Sequence, residues 1–309
     1  MKRTATLIFS LSLFSGVATP GLAQTTDVAH ALVGGVSEYV IRSGDSLTAI
    51  GARAGESVAA IARRNGLNAK DVIHPGQRIS IDNRHIVPPG VDNGVLINLP
   101  QRMLFIFRDG RLAGAHPVGL GKPTWPTPAG TFRITELRKD PTWNVPRSIQ
   151  EEMRLEGKAV QTHVAPGPDN PLGKEWIGLS IAGYGIHGTN APPSVYHFQS
   201  HGCIRLHPSD AEQLFTQVNI GMRGQIVYQP VLLAELPDQS IELEVNPDIY
   251  HQAGDAWALL QSLAAEHGLT ARIDWQRAAQ VVALQEGVAT RVDRQFPPLG
   301  NVPRESPSP

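Results

Sequence analysis

The residues best suited to chemistry are crowded into one short stretch of the chain, YGIHGTNAPPSVYHFQSHGCIRLH, at positions 184–207. This stretch contains four histidines and Cys203, the only cysteine among 309 residues. A single thiol cannot close an intramolecular disulfide. Cys203 is therefore a buried inert residue, an intermolecular linker or a reactive nucleophile.

Nucleophilic catalysis by a thiol requires a neighbouring base or positive charge, because the thiolate is the reactive form and an ordinary thiol has a pKa of about 8.5. His187 or His201 could supply the base. Gly202 would let a substrate carbonyl approach the backbone, and the amides of Gly202 and Cys203 are natural donors to an oxyanion. Arg205 lies two residues after Cys203, so an extended backbone would place both on one face, where Arg205 could meet a substrate carboxylate.

Two other interpretations of these residues are metal binding and simple burial. Histidine and cysteine are zinc ligands, but the close spacings of zinc sites, such as C-x2-C or H-E-x-x-H, do not occur here. Free cysteine is often buried, yet a glycine and a histidine are unusual neighbours for an inert thiol. The sequence therefore favours a nucleophile, and it predicts no metal and no cofactor.

The segment that must position these residues, 95–229, has the pattern of a β-rich domain. Its first part alternates apolar and polar residues around Asp109-Gly110, a strong hairpin signal, and predicts three strands between Leu96 and Gly119. Residues 140–176 are irregular and too long for a simple connection. After the cysteine, a capping box of Ser209 and Glu212 predicts a short helix from about residue 210 to 219, followed by a final strand.

The first 23 residues have the features of a secretory signal: Lys2 and Arg3, an apolar run over 7–17, and small residues over 21–23. An uncleaved membrane anchor is the alternative, but the apolar run is shorter than the ~20 residues that span a bilayer. We expect a periplasmic protein without a membrane span in the mature chain. A net charge of −1 argues against a nucleic-acid partner.

Between the signal and the β-rich domain, residues 38–83 predict a small β-α-α-β domain. Its helices would follow the Gly44-Asp45-Ser46 turn and end near Asn65-Gly66. Residues 24–37 and 84–94 lack periodicity and are predicted to be linkers. Beyond the β-rich domain, residues 230–296 predict a small α+β region with two amphipathic helices, and the Pro- and Ser-rich residues 297–309 a disordered tail.

The segment 95–229 resembles the YkuD-type L,D-transpeptidases on three motifs: PTPAGTF, HGT and SHGCIRL. This resemblance implies a β-sandwich with a short helix after the nucleophile. It also implies that the cysteine attacks the amide between the third and fourth residues of a peptidoglycan tetrapeptide stem, releasing D-alanine and passing the acyl group to an amine. The roles implied are Cys203 as nucleophile, His187 as general base, Ser200, His201 and Gly202 as the nucleophile turn, and Gly188, Thr189 and Arg205 in substrate binding.

Residues 39–81 resemble a LysM domain through YVIRSGDSLTAI, Asn65 and HPGQRISI. The resemblance implies binding of the N-acetylglucosamine-containing glycan beside Gly44, Asp45, Ser46 and Asn65. The alternative is a spacer domain that has lost its ligand.

Two further segments resemble one branch of this family. The segment 140–176, with DNPLG, resembles the Gram-negative branch that attaches lipoproteins or cross-links stems, and the region from about 231 resembles the small C-terminal domain of that branch. The implied partners are peptidoglycan glycan strands, stem peptides and a lipoprotein acceptor. The alternatives are a hydrolase of the same fold and a non-catalytic wall-binding protein.

Overall fold

The computed structural model describes residue 29 and residues 31–294. The predicted signal peptide, 1–23, and the predicted tail, 297–309, lie outside these residues. Within the described part of the chain, no helix is long and apolar enough to cross a membrane.

The N-terminal elements form the predicted β-α-α-β arrangement. They are β1 (Leu32–Val33), β2 (Val36–Val40), α1 (Leu47–Ala54), α2 (Val58–Arg64), β3 (Arg78–Asp82) and β4 (His85–Ile86). Strands β2 and β3 pair antiparallel, and Ile61 and Ile79 are fully buried between them and the helices. Ser46 and Ser57 cap the two helices, each accepting a hydrogen bond from the N–H three residues on.

The described residues of the two predicted linkers, 31–37 and 84–94, include paired strands, which corrects the expectation of plain connectors there. Strand β1 pairs antiparallel with β4, and β2 begins inside the first predicted linker. Ala29 bridges Ala234 of the C-terminal region. Strands of two residues are too short to show an alternating pattern, so the sequence does not reveal them.

The β-rich domain contains most of the strands. Its elements are β5 (Gly94–Asn98), β6 (Met103–Arg108), β7 (Arg111–Gly121), β8 (Gly130–Lys139), β9 (Trp143–Asn144), α3 (Arg147–Leu155), β10 (His163–Val164), β11 (Glu175–Leu179), β12 (Gly185–His187), a 3-10 turn (Pro192–Ser194), β13 (Phe198–Ser200), β14 (Ile204–Leu206), α4 (Pro208–Gln217) and β15 (Arg223–Val227). Asp109 and Gly110 both have positive φ and form the predicted hairpin turn between β6 and β7.

Two long strands, β7 and β8, connect the two halves of this domain. On one side the strand order is β8-β15-β5-β6-β7, and on the other it is β8-β11-β12-β14-β7. The mostly β prediction is confirmed, and the strand pairing is continuous because β7 and β8 belong to both orders. Apolar side chains of the core, among them Ile97, Leu120 and Ile204, are fully buried.

Two local predictions within this domain were wrong. The irregular segment 140–176 contains helix α3, together with the short hairpin pair β9 and β10. Helix α4 begins at Pro208, two residues earlier than expected, and no side chain caps its first turn. Ser209 does not cap the helix, because its hydroxyl bonds Arg53 and Asp210 instead.

The C-terminal region forms a small α+β layer. Its elements are β16 (Val231–Glu235), β17 (Ile241–Val245), α5 (Ala256–Glu266), α6 (Trp275–Leu284) and β18 (Thr290–Arg291). The strands form an antiparallel sheet in the order β16-β17-β18, and the two helices pack on it around Leu243 and Leu260, which are fully buried.

A buried carboxylate, Glu244 of β17, joins the three parts of the chain. It accepts hydrogen bonds from the Ile86 N–H at 2.7 Å and from Gln101 Nε2 at 2.9 Å, and it contacts His85 Nδ1 at 3.0 Å. Because a buried charge is costly without partners, this set of contacts favours one packed arrangement of the three parts.

Candidate active site

The sulfur of Cys203 opens into a cleft of about 420 Å³ between the β-rich sheet and the residues 141–146 that precede α3. The cleft is lined by Thr135, Glu136, Arg138, Pro141, Thr142, Trp143, Asn144, Pro146, Leu172, Trp176, Gly178, Leu179, Gly183, Tyr184 and Cys203. Cys203 lies in the turn between β13 and β14 and is partly exposed. The thiol is therefore accessible to a ligand in the cleft.

Strand pairing brings two of the predicted site residues to one face. Strands β12 and β14 run parallel, and His187 lies directly opposite Arg205. Laterally paired residues point to the same side of a sheet, so His187 and Arg205 share one side. Cys203 lies in the turn directly before β14, and the charge of Arg205 acts on both Cys203 and His187.

His187 is held as a neutral imidazole with a defined tautomer. It is 4% exposed, its ring stacks on Trp176 with centroids 5.9 Å apart, and its Nδ1 lies 2.6 Å from the carbonyl oxygen of Gly188. A carbonyl can only accept, so Nδ1 carries the proton, and in the neutral ring the lone pair is on Nε2. Burial, aided by the positive charge of Arg205, lowers the pKa of His187 to about 4.

The thiol of Cys203 is protonated at rest. Burial raises its pKa above the ordinary value, against smaller opposing effects of the Gly185 backbone and the Arg205 charge. Its sulfur lies 3.8 Å from the Gly183 carbonyl oxygen. A protonated thiol beside a neutral imidazole needs a base to remove its proton as it attacks.

The turn before the cysteine depends on a glycine. Gly202 has φ of +103°, and a Cβ there would lie 2.6 Å from Cε1 of Tyr184. The Ser200 hydroxyl accepts from the Gly202 N–H at 3.1 Å and donates to the Cys203 carbonyl at 2.6 Å. The Gly202 amide is therefore already occupied, which corrects its predicted role as an oxyanion donor.

The Cys203 amide is the donor that remains at this turn. Cys203 precedes Ile204, the first residue of β14 that pairs with β12, so its N–H lies outside that strand ladder. An N–H beside the nucleophile is well placed to meet an oxyanion that develops on the carbonyl under attack.

His201 contacts the α3 segment. Its Nε2 contacts the carboxylate of Glu152, which also accepts from Lys122 Nζ at 2.6 Å. The ring of Trp125 packs edge-on against His201 at 4.8 Å. Hydrogen bonds from Lys122 and His201 lower the pKa of Glu152. With its Nε2 engaged by Glu152, His201 is a poor candidate for the base.

We expect the substitution Glu152→Gln to loosen α3. None of the residues of α3 is buried, so its attachment to the nucleophile turn depends on the Glu152 contacts. Loss of a partly exposed ion pair should raise amide hydrogen exchange across α3 by about two- to fivefold. Glu151→Gln is the matched control, because Glu151 pairs with Arg154 inside α3. Equal exchange in the two variants would contradict this role for Glu152.

Gly188 and Thr189, predicted to bind substrate, have internal contacts instead. The Gly188 carbonyl accepts from His187, and the Thr189 hydroxyl accepts from the Ala191 N–H at 3.0 Å. Thr189 is 4% exposed. These polar groups are therefore already used within the chain, where they fix the positions of His187 and Ala191.

The predicted glycan-binding residues are also engaged within their own domain. Asp45 accepts from the Tyr39 hydroxyl at 2.8 Å, and Ser46 caps α1. The Asn65 side chain donates to the Ser80 carbonyl and accepts from the Ser80 N–H. These side chains fix the shape of the turn and the adjacent loop, which leaves the backbone and the exposed apolar residues to contact a ligand.

Several site residues were missed by sequence reasoning. They are Glu136, Glu152, Trp176 and Tyr184. For Glu152 and Trp176 the available signal was the unusual length of the segment 140–176, and Tyr184 is the first residue of the stretch 184–207 that contains the cysteine. In residues 29 and 31–294, no group of three or more His, Cys, Asp or Glu is arranged to hold a metal.

Comparison with known protein families gives the same two domains that the motifs indicate. Residues 92–231 match the L,D-transpeptidase catalytic domain (YkuD), and residues 39–82 match the LysM domain. The putative L,D-transpeptidase YqjB of Bacillus subtilis is 35% identical over 140 residues, which cover 44% of this chain and 70% of that protein. The chain belongs to the L,D-transpeptidase family.

Other members of the family extend this likeness. The probable L,D-transpeptidase ErfK/SrfK of Escherichia coli is 34% identical over 180 residues, covering 57% of this chain and 58% of that protein. The match thus spans little more than half of that relative's length. The probable L,D-transpeptidase YcfS of Escherichia coli is 28% identical over 261 residues, 82% of each chain. That similarity therefore extends beyond the catalytic-domain match.

Proposed function

We propose that this protein is a peptidoglycan L,D-transpeptidase with Cys203 as nucleophile and His187 as general base. The donor is a tetrapeptide stem, cleaved between its third and fourth residues, and the acceptor is an amine. The observation that carries this proposal is the position of Cys203, which opens into a cleft of about 420 Å³ and directly precedes the strand on which Arg205 pairs with His187.

The chemistry follows from the protonation states of the two groups. Nε2 of neutral His187 takes the thiol proton while the sulfur of Cys203 attacks the carbonyl carbon of the donor amide. The resulting oxyanion accepts a hydrogen bond from the Cys203 N–H. Collapse of this intermediate breaks the C–N bond, and the D-alanine amine leaves with the proton from Nε2. A thioester to Cys203 remains.

The second half of the reaction reverses these roles. The acceptor amine attacks the thioester carbonyl and gives a proton to His187, and the thiolate of Cys203 leaves and regains that proton. Arg205 contributes positive charge near both groups, which favours the thiolate and disfavours the imidazolium. A stem peptide or a lipoprotein lysine would be a suitable acceptor, since each presents a primary amine.

Mass spectrometry of muropeptide products tests this function. The purified chain is incubated with disaccharide tetrapeptide, with and without an added amine such as a D-amino acid. A transpeptidase yields cross-linked dimers or exchanged stems and releases D-alanine. Tripeptide as the sole product would support the hydrolase alternative, and unchanged tetrapeptide would support a non-catalytic wall-binding protein.

The other parts of the chain have roles that serve the same reaction. A signal peptide (1–23) directs the chain to the periplasm, residues 38–83 bind the glycan strand, residues 95–229 perform catalysis, and residues 230–296 form a small C-terminal domain. Peptidoglycan binding is supported by the match of the LysM family to residues 39–82. A glycan-bound domain would raise the concentration of the catalytic domain near its stems.

We expect Val72→Asp to weaken sedimentation with insoluble peptidoglycan about five- to tenfold. Val72 is 78% exposed in the loop after α2, the loop that begins near Asn65 of the predicted glycan-binding residues. A sugar ring packed on Val72 would lose apolar contact when the side chain is replaced by aspartate. Val36→Asp is the matched control, because Val36 is 62% exposed at the far end of the same domain. Equal sedimentation of both variants and the wild type would favour the spacer interpretation.

A further inference from the structure

Tyr250 lies in the C-terminal region, beyond the residues that match the catalytic domain family, yet it contacts residues that lie beside the nucleophile turn. Its hydroxyl donates to the Gly121 carbonyl at 2.6 Å and accepts from the Thr127 N–H at 3.3 Å. Gly121 is the last residue of β7, and Thr127 lies within the loop 122–129 that leads to β8. One hydroxyl from outside the catalytic domain thus connects the end of β7 to this loop.

Thr127 connects this loop by a hydrogen bond to the turn that carries the nucleophile. Its side chain is 1% exposed; its hydroxyl accepts from the Gly121 N–H at 3.0 Å and donates to the Gly202 carbonyl at 2.8 Å. The Gly202 carbonyl and the Cys203 N–H belong to the same planar peptide unit and point in opposite directions. Fixing the carbonyl therefore fixes the direction of the N–H that would meet the oxyanion.

The position of Tyr250 is itself firmly set. Its N–H donates to the Tyr228 hydroxyl at 2.9 Å, and the two rings stack with centroids 5.8 Å apart. Tyr228 in turn donates to Asp248, whose carboxylate also accepts two backbone N–H groups of the following turn. Phe198 of β13 packs edge-on against Tyr250 at 5.5 Å. The hydroxyl is therefore held in place by the backbone hydrogen bond of Tyr250 and by the packing of Tyr228 and Phe198 against its ring.

We propose that Tyr250 is a positioning residue for acyl transfer, which acts through Thr127 and the Gly202 carbonyl to orient the Cys203 N–H toward the oxyanion. This inference rests on the proposed role of Cys203 as an acylated nucleophile. It assigns to the C-terminal region a direct part in the geometry of catalysis. A purely structural Tyr250 would only attach that region to the β-rich domain.

Two reactions of the same thiol separate these roles. Acylation by an activated ester or by the tetrapeptide forms an oxyanion, whereas alkylation by iodoacetamide is a direct displacement that forms none. Tyr250→Phe keeps the ring and removes one hydroxyl. We expect acylation at saturating donor to slow about 3- to 10-fold, and alkylation, with its pH profile, to stay within about twofold of the wild type.

Substitutions at Thr127 test the route of this effect. Thr127→Val should slow acylation at least as much as Tyr250→Phe, whereas Thr127→Ser, which keeps the hydroxyl, should acylate at close to the wild-type rate. The double variant with Thr127→Val and Tyr250→Phe should acylate only slightly more slowly than Thr127→Val alone, because both substitutions break the same path of hydrogen bonds. Ser240→Ala is the control, because it removes a hydrogen bond to Asp238 in the same region, away from the site.

Three results would overturn the inference: acylation of Tyr250→Phe at the wild-type rate, parallel loss of acylation and alkylation, or losses at Tyr250 and Thr127 that multiply as independent effects. The wild type alone tests the proposed function. A wild type that reacts with the activated ester but never with the tetrapeptide would refute the proposed substrate. The role of Tyr250 would still be tested by the rates of acylation with the activated ester.

Discussion

Cys203→Ser should abolish the covalent intermediate. In the wild type, incubation with disaccharide tetrapeptide should add the mass of the donor less D-alanine to the protein, on the peptide that contains Cys203. A serine keeps the shape and hydrogen bonding of the residue, but its hydroxyl is a poor nucleophile without stronger activation. We expect acylation to fall by at least about 10³-fold, so that intact-protein mass spectrometry detects no adduct.

The controls for this variant use the single thiol. Because Cys203 is the only cysteine, a maleimide should label the wild type once and the serine variant not at all. The variant should also melt at the wild-type temperature and sediment with peptidoglycan as the wild type does, since neither property depends on the sulfur. Turnover of tetrapeptide at the wild-type rate by the serine variant would refute Cys203 as nucleophile.

The centre of this site could be predicted because its residues come from one short stretch of chain. Cys203 and Arg205 are two apart, so an extended backbone alone places them on one face. His187 is only sixteen positions before Cys203, and it comes to lie beside Arg205 because β12 and β14 are neighbouring strands. The sequence left His187 and His201 as alternatives. The structure distinguishes them, because His187 is paired with Arg205 while Nε2 of His201 contacts Glu152.

The surroundings of the site could not be predicted, because their contacts are distant in sequence. Glu152 reaches His201 across 49 positions, and Tyr250 reaches Gly121 across 129. In the sequence, a single glutamate on a polar helix is typical of a solvent-exposed residue, and one tyrosine after a strand is typical of a core residue. Only the tertiary fold shows which partner each one meets.

Helix α3 shows the same limit at the level of secondary structure. Its sequence, RSIQEEMRL, is short and lies between Pro- and Gly-rich segments, and the helix buries none of its residues. Predictions from periodicity depend on an apolar face that packs on a core. Helices α1 and α2 have buried residues and side-chain caps at their starts, and they were predicted correctly.

His187→Ala should slow acylation by ~10²–10⁴-fold, the usual scale for general acid–base catalysis. The effect should be large because burial raises the pKa of Cys203, so that little thiolate exists near neutral pH without a base. His187→Gln keeps most of the side-chain volume beside Trp176, which separates loss of the base from a packing defect. Stopped-flow acylation with an activated ester measures both variants.

The pH dependence of acylation gives the sharper test of His187. The imidazole must be neutral to accept a proton, and its pKa is lowered to about 4, so the wild-type rate should fall only as the pH drops through that region. In His187→Gln this fall should disappear, and the rate should rise with pH as the thiol itself ionises. His201→Gln should keep the wild-type profile, because its Nε2 contacts Glu152 rather than serving as the base. Near-normal acylation in His187→Gln, with a large loss in His201→Gln, would transfer the role of base to His201.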